Sequence, residues 1–553
     1  MAELLIRHGT VVDGTGAPGR RADVRVVDGR IAEIGEGLSA ADELDATGCV
    51  VAPGFIDIHT HYDAQVFWDP SLTPSSWHGV TTVVAGNCGF SIAPLRPADR
   101  ELMVETMQVV EDMNGATLRE GVEWDSFESY PEYLDAVASR GVRLNFTGYV
   151  GHTAVRLYVM GEDAFDREAT AAEIEQMQGI VGEAIRAGAV GFSSSSNPSH
   201  FGAGGRPVPS RRAGVDEVLA LVEPLRDERR GVISLLAGER LAYGDVYAVQ
   251  RHAGRPVTWT PMLVMPGFDH EGWMRRNDEA RADGQEVWAQ TASRPIVFQE
   301  NLANPFTLNR FDAFGELAGR SVEERSAVYR ENAWRARAMA ELEASGRFSW
   351  DAVTVGESTK RHDLVGRSVV DIAAELGCSP LDVMVDVALD DELTTRFNVA
   401  VANRDVGAVG PLLRSDGVLL GLADSGAHVG QLCDACFATD LLALWTRERN
   451  VLTLEQAVHK LTGEPAAFLG LEDRGRLAPG LAADVCVFEP DTVAPGGLRR
   501  VRDFPADGER LVADEPVGVR HVLVNGVPIR RDSTPADPAA MPGEVLRGAA
   551  SGG

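Results

Sequence analysis

Two histidines that follow an apolar segment are the residues of this chain best placed to do chemistry. His59 and His61 come directly after residues 55–58, and a Pro-Gly turn precedes that segment. Alternate side chains of an extended strand share a face, so both imidazoles point the same way and form a ready pair of metal ligands. A lone His-X-His pattern often arises by chance, with one satisfied polar histidine and one on the surface. Asp57 on the same face, and the strand that leads into the pair, favour a metal site here.

A cysteine and an aspartate follow two other predicted strands and could complete such a site. Cys88 stands in the sequence Gly-Asn-Cys-Gly at 86–89, where the glycines let a ligand or the backbone approach closely. The alternative for Cys88 is a buried structural thiol. Asp424 follows the last predicted strand, where a carboxylate can ligate a metal and accept a proton from water. In isolation a helix N-cap would be preferred for Asp424. Beside the histidine pair, both residues are predicted ligands, and Asp424 is also the predicted catalytic base.

Other polar residues also follow predicted strands, but their sequence patterns do not indicate a specific function. His152, His200 and His428 are candidates for binding substrate or metal, although a lone histidine in such a place is commonly a satisfied polar residue. Cys433 and Cys436 have the spacing of a redox or zinc pair. No second pair accompanies them, so both of those functions are disfavoured, and Cys433 stays a pocket candidate.

The elements that must position these residues alternate between strand-like and helical patterns, which is typical of βαβ units. Eight such runs favour a closed (β/α)8 barrel of the TIM type over an open sheet, and its chemistry would lie at the carboxyl ends of the strands. The predicted strands are residues 54–59, 81–85, 144–150, 189–193, 231–236, 256–262, 286–291 and 418–422.

Both chain ends show short alternating segments separated by turns, and neither end has enough apolar residues for its own core. We therefore expect residues 1–53 and 473–553 to pair into one small β-sandwich, with a loose tail from about Thr534. The barrel would span 54–472. An insert at about 266–350 is expected to be either a lid over the pocket or an exposed helical excursion.

Composition limits the classes of function. The 553 residues carry a formal net charge of -30, which opposes binding to nucleic acid or anionic lipid. Six scattered cysteines do not form a disulfide framework. No membrane span is visible, and the first residues lack a basic segment followed by a long apolar one. We expect a cytoplasmic protein that acts on a small molecule; a homo-oligomer is left open.

Four segments together resemble the amidohydrolase superfamily, and in particular its N-acyl-D-amino-acid deacylase (D-aminoacylase) branch. They are Pro-Gly-Phe-Ile-Asp-Ile-His-Thr-His at 53–61, His-Gly-Val-Thr-Thr at 78–82, Gly-Asn-Cys-Gly at 86–89 and Leu-Ala-Pro-Gly-Leu-Ala-Ala-Asp at 477–484. The likeness covers nearly the whole chain. The motifs near the two ends of the chain are specific for this family, whereas the middle of the chain contains no specific motif.

The resemblance implies amide hydrolysis with zinc. In the family the metal is held by the two first-strand histidines, a second-strand cysteine, two histidines on the fifth and sixth strands, and an aspartate on the eighth. The counterparts here are His59, His61, Cys88 and Asp424. No lysine precedes Lys360, which by itself rules out the carboxylated fourth-strand lysine of other branches of the superfamily.

The chain departs from the family pattern in the middle of the barrel. The predicted fifth and sixth strands contain no histidine, and His252 lies before the sixth strand, at the wrong end. We therefore expect one zinc ion rather than two. His152, His200 or Glu239 could substitute for the missing ligands, and the sequence does not choose among them.

The expected reaction is cleavage of the amide bond of an N-acyl-D-amino acid, or a similar N-acylated small molecule, by metal-activated water. Arg294, after the seventh strand, is the candidate to bind the substrate carboxylate, because a guanidinium pairs with it bidentately. A structural ion pair is the alternative for Arg294. Two other functions stay open: ring opening of a cyclic amide or imide, and small-molecule binding by a metal-poor barrel without hydrolysis.

Overall fold

Eight parallel strands form the centre of the molecule. The computed structural model describes residues 3–547, and within that range these strands are neighbours in chain order. The strands are Phe55–Asp57, Val80–Ala85, Asn145–Gly151, Gly191–Ser195, Val232–Leu236, Val257–Thr260, Val287–Thr291 and Val418–Leu420. Each overlaps its predicted run. The (β/α)8 fold class is therefore confirmed.

The first and eighth barrel strands meet at their carboxyl ends. A parallel bridge joins Thr60 to Ser425, and the backbone N–H of His61 donates to the carbonyl oxygen of Ser425 at 2.7 Å. Asp57 strengthens this junction, because its carboxylate accepts hydrogen bonds from the Ser425 hydroxyl and from the backbone N–H of His59, both at 3.2 Å. The segment around Asp424 is thereby fixed beside the histidine pair.

Helices cover the barrel and continue into the inserted segment. The α-helices are Arg100–Val110, Gly115–Gly121, Tyr130–Arg140, His152–Met160, Ala171–Ala187, Val215–Leu221, Glu223–Asp227, Asp245–Ala253, His270–Ala282, Asp312–Gly315, Val322–Tyr329, Asn332–Ser345, Val369–Leu376, Pro380–Asp390, Val406–Arg414, Phe437–Asp440, Leu454–Leu461 and Gly463–Leu469, with a π-helix at Leu441–Glu448. Among the described residues, no helix is both long enough and apolar enough to cross a membrane.

The two chain ends contribute strands to one sheet. Val50–Pro53 from the amino-terminal part pairs antiparallel with Val485–Phe488 from the carboxyl-terminal part. The other strands of this sheet are Glu3–Val11, Arg20–Val27, Arg30–Gly35, Asp42–Asp45, Val519–Val524, Val527–Arg531 and Thr534–Pro535. A separate hairpin consists of Leu498–Phe504 and Gly508–Ala513.

The segment after Thr534 is bound to the barrel as far as the structure describes it. The backbone N–H of Phe146 donates to the carbonyl of Glu544 at 2.8 Å, and the N–H of Leu546 donates back to the carbonyl of Phe146 at 2.7 Å. These bonds extend the ladder at the start of the third strand. The expected loose tail is therefore wrong for residues 534–547, and its last six residues lie outside the described range.

Additional structure lies between the seventh and eighth barrel strands. A three-stranded antiparallel sheet orders Ile296–Glu300, Arg396–Ala402 and Val353–Glu357, and five helices pack with it around a separate apolar core that includes Phe314 and Trp334. The expected insert at about 266–350 overlaps this segment only in part. Its first portion contains His270–Ala282, which is an ordinary crossover helix between the sixth and seventh strands.

Candidate metal centre

His59 and His61 project from the end of the first barrel strand into a closed environment. Their side chains are 0% and 3% exposed. The Nδ1 atom of His59 lies 2.7 Å from the amide oxygen of Gln290, on the seventh strand. An amide oxygen only accepts hydrogen bonds, so Nδ1 carries a proton and Nε2 is the atom directed at the centre of the site. The sequence did not single out Gln290, since a polar residue within a strand has many uses.

Cys88 and Asp424 face the same Nε2 atom. The Sγ atom of Cys88 lies 3.3 Å from His59 Nε2, and Asp424 Oδ1 lies 3.0 Å from His59 Nε2 and 3.8 Å from His61 Nε2. The ligand atoms of His59, His61 and Cys88 lie within 4.8 Å of one another. Cys88 and Asp424 have positive φ angles of 54° and 44°, a strained conformation of the kind that concentrates at functional sites.

The charges of the cluster fit a cation. Burial lowers the pKa of His59, but the neighbouring Cys88 and Asp424 reverse this and hold that pKa well above its ordinary value. Burial raises the pKa of Asp424, but His59 and then His61 outweigh it and leave that pKa below its usual range. Positive charge is therefore favoured between the thiol and the carboxylate. Two imidazole nitrogens, one sulfur and one oxygen are also a donor set that zinc accepts.

Glu111, which the sequence did not indicate, lies beside the second histidine. It caps the helix Arg100–Val110 and is 2% exposed. Its Oε1 lies 3.4 Å from His61 Nδ1, while its Oε2 has no hydrogen-bond partner among the described residues. Burial, and then the charge of Asp424, raises the pKa of Glu111 well above its usual value. An acidic residue at a helix end is too common to reveal this contact in advance.

A small cavity of about 160 Å³ opens beside these residues. Its wall includes His61, Cys88, Glu111 and Asp424, and much of the remainder is apolar. The apolar wall residues are Phe90, Val110, Leu236, Pro261, Leu263, Ile296, Phe298, Phe306, Val401 and Leu422. Four of them, from Ile296 to Val401, belong to the inserted segment. That segment therefore forms part of the cavity wall.

Two of the predicted substrate-binding histidines line this cavity. His200 Nδ1 lies 2.9 Å from the Ser195 hydroxyl, and burial lowers the pKa of His200 to about 3. His428 packs against Phe306, with 4.3 Å between the ring centroids, and burial lowers the pKa of His428 to about 4. Both rings are neutral at pH 7, so each presents one N–H donor and one acceptor nitrogen.

His152 and Arg294 do not line the cavity. His152 Nε2 lies 2.9 Å from Glu217 Oε1, and its Nδ1 lies 2.8 Å from the Ser194 hydroxyl. Arg294 donates to Asp434 at 2.7 Å and to Asp440 at 2.9 Å. Glu217 and Ser194 thus occupy the two ring nitrogens of His152, and two aspartates bind the guanidinium of Arg294. These contacts favour the alternatives to substrate binding: a satisfied polar residue for His152 and a structural ion pair for Arg294.

The fifth and sixth strands deliver no metal ligand to the cavity. Leu236 ends the fifth strand and Thr260 ends the sixth, and both line the cavity. His252 lies on the crossover helix Asp245–Ala253 and faces Glu223 at 3.4 Å. Glu239 is bound by Arg211 at 2.9 Å. None of these residues supplies the two histidines that the family pattern places on these strands.

Residues 42–530 match the model of the amidohydrolase family. The chain belongs to this family. A D-aminoacylase of Alcaligenes xylosoxydans xylosoxydans is 29% identical over 95% of this chain and 94% of that protein. A solved N-acyl-D-glutamate deacylase from Bordetella bronchiseptica, complexed with zinc and a phosphonate inhibitor, is 30% identical, with a TM-score of 0.69 over 98% of this chain and 99% of the other.

A solved D-aminoacylase is 27% identical, with a TM-score of 0.69 over 98% of this chain and 99% of the other. Its description refers to a binuclear metal centre with one-metal activation and second-metal attenuation. These relatives confirm the resemblance to the D-aminoacylase branch.

Proposed function

We propose that this chain is a zinc-dependent amidohydrolase that cleaves the C–N amide bond of an N-acyl-D-amino acid or a similar N-acylated small molecule. The observation that carries the proposal is the meeting of His59, His61, Cys88 and Asp424 at the carboxyl end of the barrel, beside a cavity of about 160 Å³. The N-acyl-D-amino-acid specificity comes from the relatives, which are described as D-aminoacylase and N-acyl-D-glutamate deacylase.

These four residues would hold one zinc ion. When bound, zinc lowers the pKa of a coordinated water to ~7 and polarises the substrate carbonyl. A second ion would need ligands from the fifth and sixth strands, where Leu236 and Thr260 line the cavity instead. Glu111 and Gln290 would orient His61 and His59 through their Nδ1 atoms. Partners of this kind normally fix the ring orientation of metal-ligating histidines.

The side chains of the cavity have three further roles: proton transfer, hydrogen bonding to the substrate and exclusion of water. Asp424 accepts the proton of the attacking water and passes it to the leaving nitrogen. His200 and His428 are neutral and can donate an N–H to a polar group of the substrate. The apolar wall excludes water from the acyl or side-chain part of the substrate.

A substrate panel tests the proposal. Purified, zinc-loaded protein is assayed with matched N-acetyl-D- and N-acetyl-L-amino acids and with hydantoin and dihydropyrimidine rings. Release of the free D-amino acid is expected, with slower or no release of the L-enantiomer. Cleavage of the cyclic compounds without cleavage of any acylated amino acid would replace the proposal with ring-opening hydrolysis. No turnover of any compound by metal-loaded protein would support the non-hydrolytic alternative.

The domain division, the cellular location and the oligomeric state also need testing. We propose that residues 1–53 and 473–553 form one domain and that residues 54–472 form the barrel domain with its insert. A cytoplasmic location also stays a prediction, and size-exclusion chromatography with light scattering would decide whether the protein forms a homo-oligomer.

A further inference from the structure

The four-residue turn that carries Cys88, residues 86–89, has a strained backbone. Three of its residues, Gly86, Cys88 and Gly89, have positive φ angles of 75°, 54° and 77°. Glycine adopts this left-handed backbone readily, but for a cysteine it is costly. Contacts from outside the turn must therefore hold Cys88 in this conformation, and those contacts decide where its thiol points.

Ser193 makes two such contacts with one hydroxyl group. It lies on the fourth barrel strand, Gly191–Ser195, and is fully buried. Its hydroxyl donates to the carbonyl oxygen of Gly86 and accepts a hydrogen bond from the backbone N–H of Gly89 at 3.1 Å. One side chain thus joins the two ends of the turn, on either side of Cys88. Among the described residues, no other side chain bonds to both ends.

The turn also packs closely against the barrel. A Cβ atom on Gly89 would lie 3.1 Å from Ser194 Cα, and one on Gly86 would lie 2.3 Å from the carbonyl oxygen of Tyr149, on the third strand. Neither end of the turn therefore has room for a side chain. This close approach brings the backbone groups of the turn within reach of the short side chain of Ser193.

Asn87 holds the turn on a different side. Its side-chain nitrogen donates to the carbonyl oxygen of Val84 at 2.9 Å and lies 3.3 Å from the carbonyl oxygen of Thr60, between the two histidines of the first strand. These contacts act at residue 87 and do not reach the residues after it. The conformation of Cys88 therefore depends on the contacts that Ser193 makes.

The thiol of Cys88 has no other anchor. Within the part of the chain that the structure describes, its only hydrogen-bond partner is His59 Nε2, at 3.3 Å. That nitrogen is itself one of the proposed metal ligands, so it cannot also hold the thiol when the metal is bound. The position of Sγ is then set by the backbone of the turn.

We propose that Ser193 is a positioning residue for the metal centre, because its hydroxyl fixes the turn that directs Cys88 Sγ towards the histidine pair. This rests on the proposed function, in which Cys88 is a metal ligand. The fourth strand supplies none of the four proposed ligands, and its contribution is indirect. Without the hydroxyl, Gly86 and Gly89 lose their shared partner, and the turn can relax from its strained conformation.

Ser194 offers a matched control at the next position of the same strand. Its side chain points to the opposite face, where the hydroxyl lies 2.8 Å from His152 Nδ1, and it is 2% exposed. Ser193→Ala and Ser194→Ala each remove one buried hydroxyl, so both should lower the temperature of thermal unfolding. Only Ser193→Ala should change the metal centre.

Cobalt substitution reports on the thiol directly. Co²⁺ binds to sites of the kind that zinc occupies, and a thiolate bound to it gives a charge-transfer band in the near ultraviolet. We expect this band in the wild type and in Ser194→Ala, its absence in Cys88→Ser, and a clearly weaker band in Ser193→Ala at saturating Co²⁺. Competition with a chelator should show a roughly 10- to 100-fold loss of zinc affinity in Ser193→Ala.

Ser193→Thr keeps the hydroxyl and completes the set. It should keep both the band and the zinc affinity, and it provides a test even if the alanine variant does not fold. Loss of both in a folded threonine variant would contradict the proposal, since the hydroxyl is then present without effect.

The outcomes separate this proposal from the proposed function, because no hydrolysis is measured. An unchanged band and unchanged zinc affinity in Ser193→Ala would overturn the positioning role and leave the metal site standing. Equal losses in Ser193→Ala and Ser194→Ala would also overturn it, because they would reflect a general loss of stability. Absence of the band from the wild type would remove Cys88 from the metal centre and overturn both.

Discussion

The rim of this barrel has two contrasting parts. At the ends of the first, second and eighth strands, the ligand atoms of His59, His61 and Cys88 lie within 4.8 Å of one another, and Asp424 lies 3.0 Å and 3.8 Å from the two histidines. At the ends of the fifth and sixth strands, the wall of the same cavity is formed by Leu236 and by Thr260 with Pro261. The same barrel can thus have metal ligands on one side of its rim and apolar residues on the other. The residue type at one strand end can change without changing the others or the fold.

The difference between the polar and the apolar side indicates which part of the rim is needed for catalysis. Three of the four donors on the polar side have a supporting neighbour. His59 is hydrogen-bonded to Gln290, Glu111 lies beside His61, and the Thr60–Ser425 bridge fixes the Asp424 segment. The apolar side offers no donor for a metal, but it offers surface to an apolar substrate. We therefore assign catalysis to the polar side of the rim and recognition of the apolar part of the substrate to the apolar side.

Asp424→Asn should have the largest effect on the polar side. Asparagine keeps an oxygen at this position but cannot accept the proton of water, so kcat should fall by roughly 10²- to 10⁴-fold. Steady-state kinetics with the best substrate of the panel measures the effect, and metal analysis of the same sample shows whether zinc is retained. Activity within a factor of about three of wild type, with zinc bound, would remove Asp424 from the proton transfer.

Glu111→Gln should have a smaller effect, on the metal rather than on the proton. The amide has the shape of the carboxyl group but can never ionise to pair with His61 Nδ1 when the cation binds, so zinc affinity should fall roughly 10- to 100-fold. Competition with a fluorescent chelator gives the dissociation constant without an activity assay. Glu175→Gln is the matched control: it makes the same change at an exposed position on the remote helix Ala171–Ala187 and should leave zinc affinity unchanged.

The double variant Leu236→His with Thr260→His makes the apolar side resemble the polar side. If the strand ends are placed as in the family pattern, the metal content should rise by up to one ion per chain. Leu236→Asn with Thr260→Asn is the matched control, since it adds polarity without good ligands. The same metal content in both double variants would show that missing histidines are not what limits the second site.

Much of this arrangement could be predicted from the sequence, for physical reasons. Buried parallel strands are nearly continuous apolar runs, such as Val418–Leu420, and they stand out against helical patterns. The His-X-His pattern is local, and the absence of histidine from two strands can be read directly. The fold, the family and the candidate ligands all followed from such local signals.

Contacts between distant parts of the chain could not be predicted. Arg294 looked free for substrate, but it is bound by Asp434, 140 residues further along the chain. Glu111 reaches His61 only because the helix before it ends at the barrel rim. The tail after Thr534 has a weak local pattern, and its order comes from backbone pairing with Phe146. In each case the partner is set by the tertiary fold.

The metal content of the purified protein tests the central claim most directly. Zinc is measured per chain by mass spectrometry on wild type and on Cys88→Ser, after equilibration with equal free zinc. We predict about one zinc ion per chain for wild type and clearly less zinc for Cys88→Ser, since the thiolate is one of only four proposed donors. A value near two in wild type, or an unchanged value in Cys88→Ser, would contradict a single metal held by His59, His61, Cys88 and Asp424.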